Sequence, residues 1–234
     1  MSHVTFELRD KTAVVRMDDG KANALGYALM DDLEAALTRA ESEASAVVLT
    51  GRKGRFSAGF DLAAMMAGPD QARAVVTRGA DLLMRLYALS MPLVVACSGH
   101  AIAGGALMVL TGDVRVGVRG AFRVGLNEVQ LGMPLPVLAM ELSRDRLSPG
   151  HLTAATLFAD VVDPEAALVA GWFDELADED GLLETALAHA RRLTALPRDA
   201  YAKTKMSLRG RTVRYVRDTL AEDMLRLTPP TPPS

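Results

Sequence analysis

The chain has 234 residues and a formal net charge of -3, and half of its residues are hydrophobic, enough for one large domain with a sizeable core. The mild acidity and an aromatic content of 5% exclude the basic, aromatic-lined surface of a nucleic-acid binder. A single cysteine, Cys97, excludes an internal disulfide, and no run approaches the roughly 18 apolar residues of a membrane span, so a cytoplasmic protein is expected.

Met1 to Lys11 has no basic stretch followed by an apolar one, so no signal peptide is expected. Val4 to Leu8 and Thr12 to Met17 flank the polar pair Asp10-Lys11, which predicts a hairpin. From Ala28 to Ala40, Met30, Leu33 and Leu37 share one face of an amphipathic helix. Ala46 to Thr50 is a short apolar strand closed by Gly51, followed by a basic loop with Arg52, Lys53 and Arg55. A glycine turn spans Phe56 to Leu62, and helical spacing returns over Ala72 to Leu89. Pro92 to Cys97 reads as a buried strand with a structural thiol, leading into a second glycine turn at Gly99 to Ala106. Ala106 to Leu110 is apolar throughout, as in a buried helix.

Helical patterns then cover Pro136 to Arg144, Ser148 to Phe158, Pro164 to Ala170, Leu182 to Leu196 and Ala200 to Leu227. The proline-rich tail Thr228 to Ser234 cannot hold a helix. Alternating strands and helices indicate an α/β protein, and periodicity alone would suggest a doubly wound sheet.

Each glycine turn follows a strand, and backbone N–H groups at such turns can aim at one point because no Cβ blocks the approach. Two such donors form an oxyanion hole for a carbonyl that gains charge during reaction. A third segment, Gly125 to Gly132, brings Glu128 to the distance at which a carboxylate could serve the same site. Glu128 lies among Leu126, Val129 and Leu131, and burial there would raise its pKa toward that of a working base.

Asp61 reads as a turn-stabilising acceptor for backbone N–H groups. Histidines at 3, 100, 151 and 189 have no metal-ligand spacing, and His100 reads as structural or partly site-lining. The methionines are mostly core filler, with Met65, Met66 and Met133 as candidate walls of an apolar pocket. The cationic clusters Arg52, Lys53, Arg55 and Lys203, Lys205, Arg209, Arg211 read most simply as solvated faces. No P-loop or dinucleotide fingerprint is present.

Asn23-Ala24-Leu25, Val47 to Gly51, Phe56 to Leu62, Gly99 to Gly105, Asn127 to Gly132 and Asp163-Pro164-Glu165-Ala166 with Ala170-Gly171 occur in an order that resembles the crotonase superfamily of enoyl-CoA hydratases and isomerases. The resemblance covers nearly the whole chain. It implies a ClpP/crotonase-like spiral of ββα units over residues 1–190 and a C-terminal helical trimerisation region over 191–234, abbreviated here by the proline tail. It implies an acyl-CoA thioester substrate, no separate cofactor beyond the CoA of that substrate, and a homotrimer or dimer of trimers.

In that pattern the thioester oxygen sits between the N–H groups of Ser57 and Gly104, with the Ser57 hydroxyl incidental, and Glu128 is the catalytic acid/base. Ala58, Asp61, Met65, Leu107, Met133 and Lys203 are the positions expected at the substrate. Hydratases of the family carry a second glutamate where this chain has Leu107. The single-acid pattern resembles the Δ3-Δ2-enoyl-CoA isomerase branch more than the hydratase branch, with a hydratase or a catalytically silent acyl-CoA binder as the alternatives.

Overall fold

The computed structural model describes residues 2–227. The tail expected to be unstructured, from Thr228 onward, lies outside the described residues. Val4–Arg9 (β1) and Thr12–Met17 (β2) form the expected hairpin, with Val4 opposite Met17 and Arg9 opposite Thr12. Asp10 reverses the chain with φ of 54°, a left-handed conformation that aspartate tolerates. Tyr27–Glu43 (α1) buries Met30, Leu33 and Leu37, the stripe that its spacing predicts, together with Leu29.

The chain then winds in repeated turns. The first contains Ala46–Thr50 (β3), Gly54–Ser57 (β4), Leu62–Met66 (α2) and Pro69–Tyr87 (α3). The second contains Leu93–Cys97 (β5), Gly99–Ile102 (β6) and Gly104–Leu110 (α4). The third contains Val114–Val118 (β7), Val124–Gly125 (β8) and Val137–Arg146 (α5). Leu152–Thr156 (α6), Pro164–Ala170 (α7), Glu175–Ala177 (β9), Leu182–Thr194 (α8) and Arg198–Leu225 (α9) complete the described fold.

The first strand of each turn enters one sheet and the second enters another. The larger sheet has the order β1-β2-β3-β5-β7-β9 and the smaller β4-β6-β8, with every pairing after the hairpin parallel. Strands are added in chain order toward one edge, whereas a doubly wound sheet reverses direction from a central strand. This is the ββα spiral that the resemblance implies, and it corrects the doubly wound reading.

β3, β5 and β7 are buried along their whole length, as strands covered on both faces must be. Side chains of α1, α3 and α4 fill one face of the large sheet, and Leu182, Ala186, Leu187 and Ala190 of α8 cover the other. Residue 190 therefore lies inside a helix that belongs to the sheet layers. α9 packs on α3 and α5, and its Val213, Val216 and Met224 join the same core.

Two further expectations need correction. The helix expected over Ser148 to Phe158 is a single 3-10 turn at Pro149–His151 and the short α6, after which Leu157 and Phe158 are exposed. Ala159, with φ of 57°, turns the chain away at that point. On α9, Lys205 and Arg209 are buried rather than solvated. They meet Asp113 at 2.7 and 2.9 Å, and Arg209 also donates to the carbonyls of Tyr87 and Thr111. Burial pushes the Lys205 ammonium down to about 8, against the pull of Asp113.

Candidate active site

Because β4, β6 and β8 are parallel, the segments that leave them emerge on one side of the small sheet. These segments are Ala58 to Asp61, Ala103 to Gly104 and Leu126 to Glu128. Sheet topology thus gathers three pieces of sequence at one edge. A cavity of about 360 Å³ lies there, lined among others by Phe60, Ala103, Leu107 and Glu128.

The two glycine turns touch. Gly59 has φ of 89°, and a Cβ on it would stand 2.9 Å from the Gly104 nitrogen and from the Ile102 carbonyl oxygen. Only glycine satisfies both the conformation and the space. Ala103, with φ of 53° and ψ of -125°, occupies a sparsely populated conformation immediately before α4. Its N–H donates to Gly125 O at 2.9 Å and its carbonyl accepts from Leu107 N at 3.0 Å, so the strained residue is tied to both neighbouring segments.

Several amides at these turns are engaged in hydrogen bonds. Ser57 pairs with Ala101 in the β4–β6 ladder, and Ala101 N–H donates to Arg123 O instead, so the pairing uses the N–H and C=O of Ser57. Ala58 N–H donates to Ala22 O, Gly59 N–H to the Ser57 hydroxyl, and Asp61 N–H to Leu25 O. Phe60 N–H and Gly104 N–H have no acceptor among the described residues, as is also true of the helix-start amides of Leu62, Gly105 and Ala106, and it is Phe60 and Gly104 that the contact at Gly59 brings together. Gly104 is also the first residue of α4, where amides lack an intrahelical acceptor.

The Ser57 N–H, the expected oxyanion donor, is taken up by the β4–β6 ladder, whereas the Phe60 N–H just past the strand has no acceptor among the described residues. The Ser57 hydroxyl is not incidental, since it donates to Asn23 O at 2.7 Å and accepts from Gly59 N. Asn23 itself is fully buried, and its side-chain amide donates to the carbonyls of Met17, Arg55 and Phe56. It fastens the loop after β2 to the end of β4.

Glu128 is 8% exposed, and its Oε2 has no hydrogen-bond partner among the described residues. Burial pushes its carboxyl up to about 7, with the amides of Glu128 and Asn127 pulling the other way. A carboxyl titrating near neutrality can both accept and return a proton. Leu107, from α4, is 1% exposed and lines the same cavity.

The remaining expected positions divide. Ala58, Met65 and Met133 line the cavity, whereas Met66 does not and is 54% exposed. Asp61 caps α2, accepting from Ala63 and Ala64 as a turn acceptor does; expected also at the substrate, it does not line this cavity but the neighbouring one that includes Lys21. His100 accepts from Arg123 N and meets Phe122 edge-on, outside the cavity lining. Lys203 is exposed on α9 and does not line the cavity. Lys53 pairs with Glu179 at 2.8 Å. No group of residues suited to a metal occurs among the described residues, and no described helix is long and apolar enough to cross a membrane.

A family model described as enoyl-CoA hydratase/isomerase matches residues 7–226. A solved enoyl-CoA hydratase/isomerase family protein from Pseudomonas syringae is similar with a TM-score of 0.94 and 34% identity, covering 97% of this chain and 98% of that one. The human mitochondrial enoyl-CoA delta isomerase 1 is 30% identical over 205 residues, 86% of this chain and 68% of that protein. The 2,3-dehydroadipyl-CoA hydratase of Escherichia coli strain K12 is 32% identical over 188 residues, 80% of this chain and 72% of that protein.

Proposed function

The chain belongs to the enoyl-CoA hydratase/isomerase family, and from that premise we propose that it is a Δ3-Δ2-enoyl-CoA isomerase that works through a thioester enolate. The observation that carries this reading is the carboxylate count. Glu128 is the one carboxylate among the described residues lining the cavity, and Leu107 stands where a hydratase of the family has its second glutamate. Adding water to a double bond is served by two carboxylates that orient and activate one water molecule. Moving a double bond needs a single base.

In the proposed reaction the thioester oxygen takes the N–H groups of Phe60 and Gly104. The Glu128 carboxylate removes a proton from C2 of the 3-enoyl chain, and the electron pair passes into the dienolate, whose charge rests on that oxygen. The Glu128 carboxyl then returns the proton to C4, leaving the double bond between C2 and C3 conjugated with the thioester. Each preorganised donor is worth about 3 to 4 kcal/mol in such a site. The start of α4 adds its dipole in the same sense.

Ala22 and Ala24 line the acyl cavity and also a neighbouring cavity of about 470 Å³ that includes Lys21. The CoA portion is proposed to leave past these two small residues, where the lining carries Lys21 as a cation beside the carboxylates of Asp19 and Asp61. Lys203 remains a candidate CoA contact toward a neighbouring subunit. A homotrimer or dimer of trimers is proposed for the assembly, with exposed Leu208 of α9 as a candidate contact. The buried thiol of Cys97 suits a reducing cytoplasm, and no cofactor beyond substrate CoA enters the scheme.

A comparison of 3-hexenoyl-CoA with crotonyl-CoA tests the assignment. Isomerisation of the first raises the ultraviolet absorbance of the conjugated thioester, and hydration of the second lowers it. The proposal expects the rise with negligible hydration. Hydration as fast as isomerisation would assign a hydratase, and acyl-CoA binding without either change would assign a silent binder.

A further inference from the structure

A second cavity, of about 350 Å³, shares Pro134, Pro136 and Leu227 with the acyl cavity. The two cavities adjoin at these three residues, of which Pro136 and Leu227 are half-buried and Pro134 is exposed, and we take Pro136 and Leu227 as the partition between them. Leu135, Val137 and Met140 give the second cavity an apolar lining. Its charged lining residues are already engaged: Arg144 with Glu141, Arg226 with Glu222 at 2.6 Å, and Asp223 with a backbone amide. The chamber suits a chain of methylenes better than an ion.

Two bonds hold the partition in place. Pro136 precedes α5 and makes no side-chain cap; Val137 N–H donates instead to Asp223 Oδ2 at 2.7 Å, across 86 residues of sequence. A carboxylate at a helix N-terminus is favourably placed. Beside it, Arg73 Nε donates to Met224 O at 3.1 Å. Arg73 lies on α3 three residues before Val76, which lines the acyl cavity. The end of α9 is thus tied to α3 and α5, and Leu227 is held at the partition.

We infer that the second cavity is an acyl-chain chamber, and that the Asp223–Val137 latch with Leu227 forms the gate that limits the chain length accepted by the first. The inference rests on the acyl-CoA reading above. The first cavity is at the small end of ligand sites, so a short chain fills it and ends at Leu227. A longer chain gains further apolar burial only when the partition opens. Asp223 acts here as a positioning residue.

Calorimetric binding of saturated acyl-CoA thioesters from butanoyl to hexadecanoyl gives a readout independent of turnover. In the unaltered protein, affinity should rise with length and then level off. Leu227→Ala should extend the rise, improving hexadecanoyl-CoA over butanoyl-CoA by about tenfold relative to the parent. Asp223→Ala should do the same, and Asp223→Asn, whose amide oxygen can still accept from Val137, should keep the parent profile. Adding Met140→Trp to Leu227→Ala should fill the second chamber and cancel the gain. An unchanged length profile in Leu227→Ala and Asp223→Ala overturns the gate; if Asp223→Ala does not fold, Leu227→Ala decides alone. Absence of binding at every length overturns the acyl-CoA reading itself, a result distinct from short-chain binding with an unaltered profile.

Discussion

Gly59 rests against Gly104 so closely that a Cβ on the first would lie 2.9 Å from the amide nitrogen of the second. This contact joins the turn after β4 to the start of α4, and it lets the free amides of Phe60 and Gly104 share one edge of the cavity. Gly59→Ala combines that clash with a φ of 89°. Turnover should fall by about 10² or more, the scale on which one oxyanion donor matters. Near-parent kcat in a folded Gly59→Ala protein would separate this contact from catalysis.

The Glu128 carboxyl is pushed from 4.5 up to about 7 by burial. Below pH 4.5 both folded and unfolded chains hold the proton, and the site leaves stability unchanged. Between 4.5 and 7 only the folded chain holds it, so stability falls as pH rises, reaching a loss of about 3 kcal/mol above pH 7. Glu128→Gln should therefore raise Tm most at pH 8 and little at pH 4.5. An equal Tm difference at the two pH values would mean that the carboxyl is not held protonated by burial.

Ser57→Ala removes a hydroxyl that joins Asn23 O to Gly59 N. The expected cost is about 1 to 3 kcal/mol of stability, with a smaller effect on kcat than that of Glu128→Gln. Denaturant unfolding together with kinetics checks this. A catalytic loss equal to that of Glu128→Gln, with stability unchanged, would put the hydroxyl into the chemistry.

Leu107→Glu would set a second carboxyl in the cavity beside Glu128. Two carboxylates in one site raise the pKa of one of them, and burying a charge costs several kcal/mol, so Tm should fall. Crotonyl-CoA hydration should appear above the parent level by about tenfold or more if carboxylate count is what separates the two reactions. A stable variant with no gain in hydration would show that further residues set the distinction.

The buried strands β3 and β5, the two glycine turns and the burial of Glu128 were legible in sequence because each follows from a local pattern of apolar or glycine residues. Which amides lack an acceptor was not. The β4–β6 register shifts between Arg55 and Ser57, and only the ladder shows that Ser57 is engaged while Phe60 is free. Likewise, Lys205 and Arg209 look like surface charges until α9 places them on Asp113. The Asp223 cap on Val137 joins positions 86 residues apart and leaves no local signature. Sequence patterns report what neighbours in the chain do, and these features depend on partners brought in by the fold.

The central claim is that Glu128 alone moves the proton. Its most direct test is kcat of Glu128→Gln with 3-hexenoyl-CoA, measured against the unaltered protein, with acyl-CoA affinity determined in parallel. A general base contributes about 10² to 10⁴ in rate, so kcat should drop by that factor while affinity stays within about threefold. A Glu128→Gln protein that isomerises 3-hexenoyl-CoA at the parent rate would contradict the account.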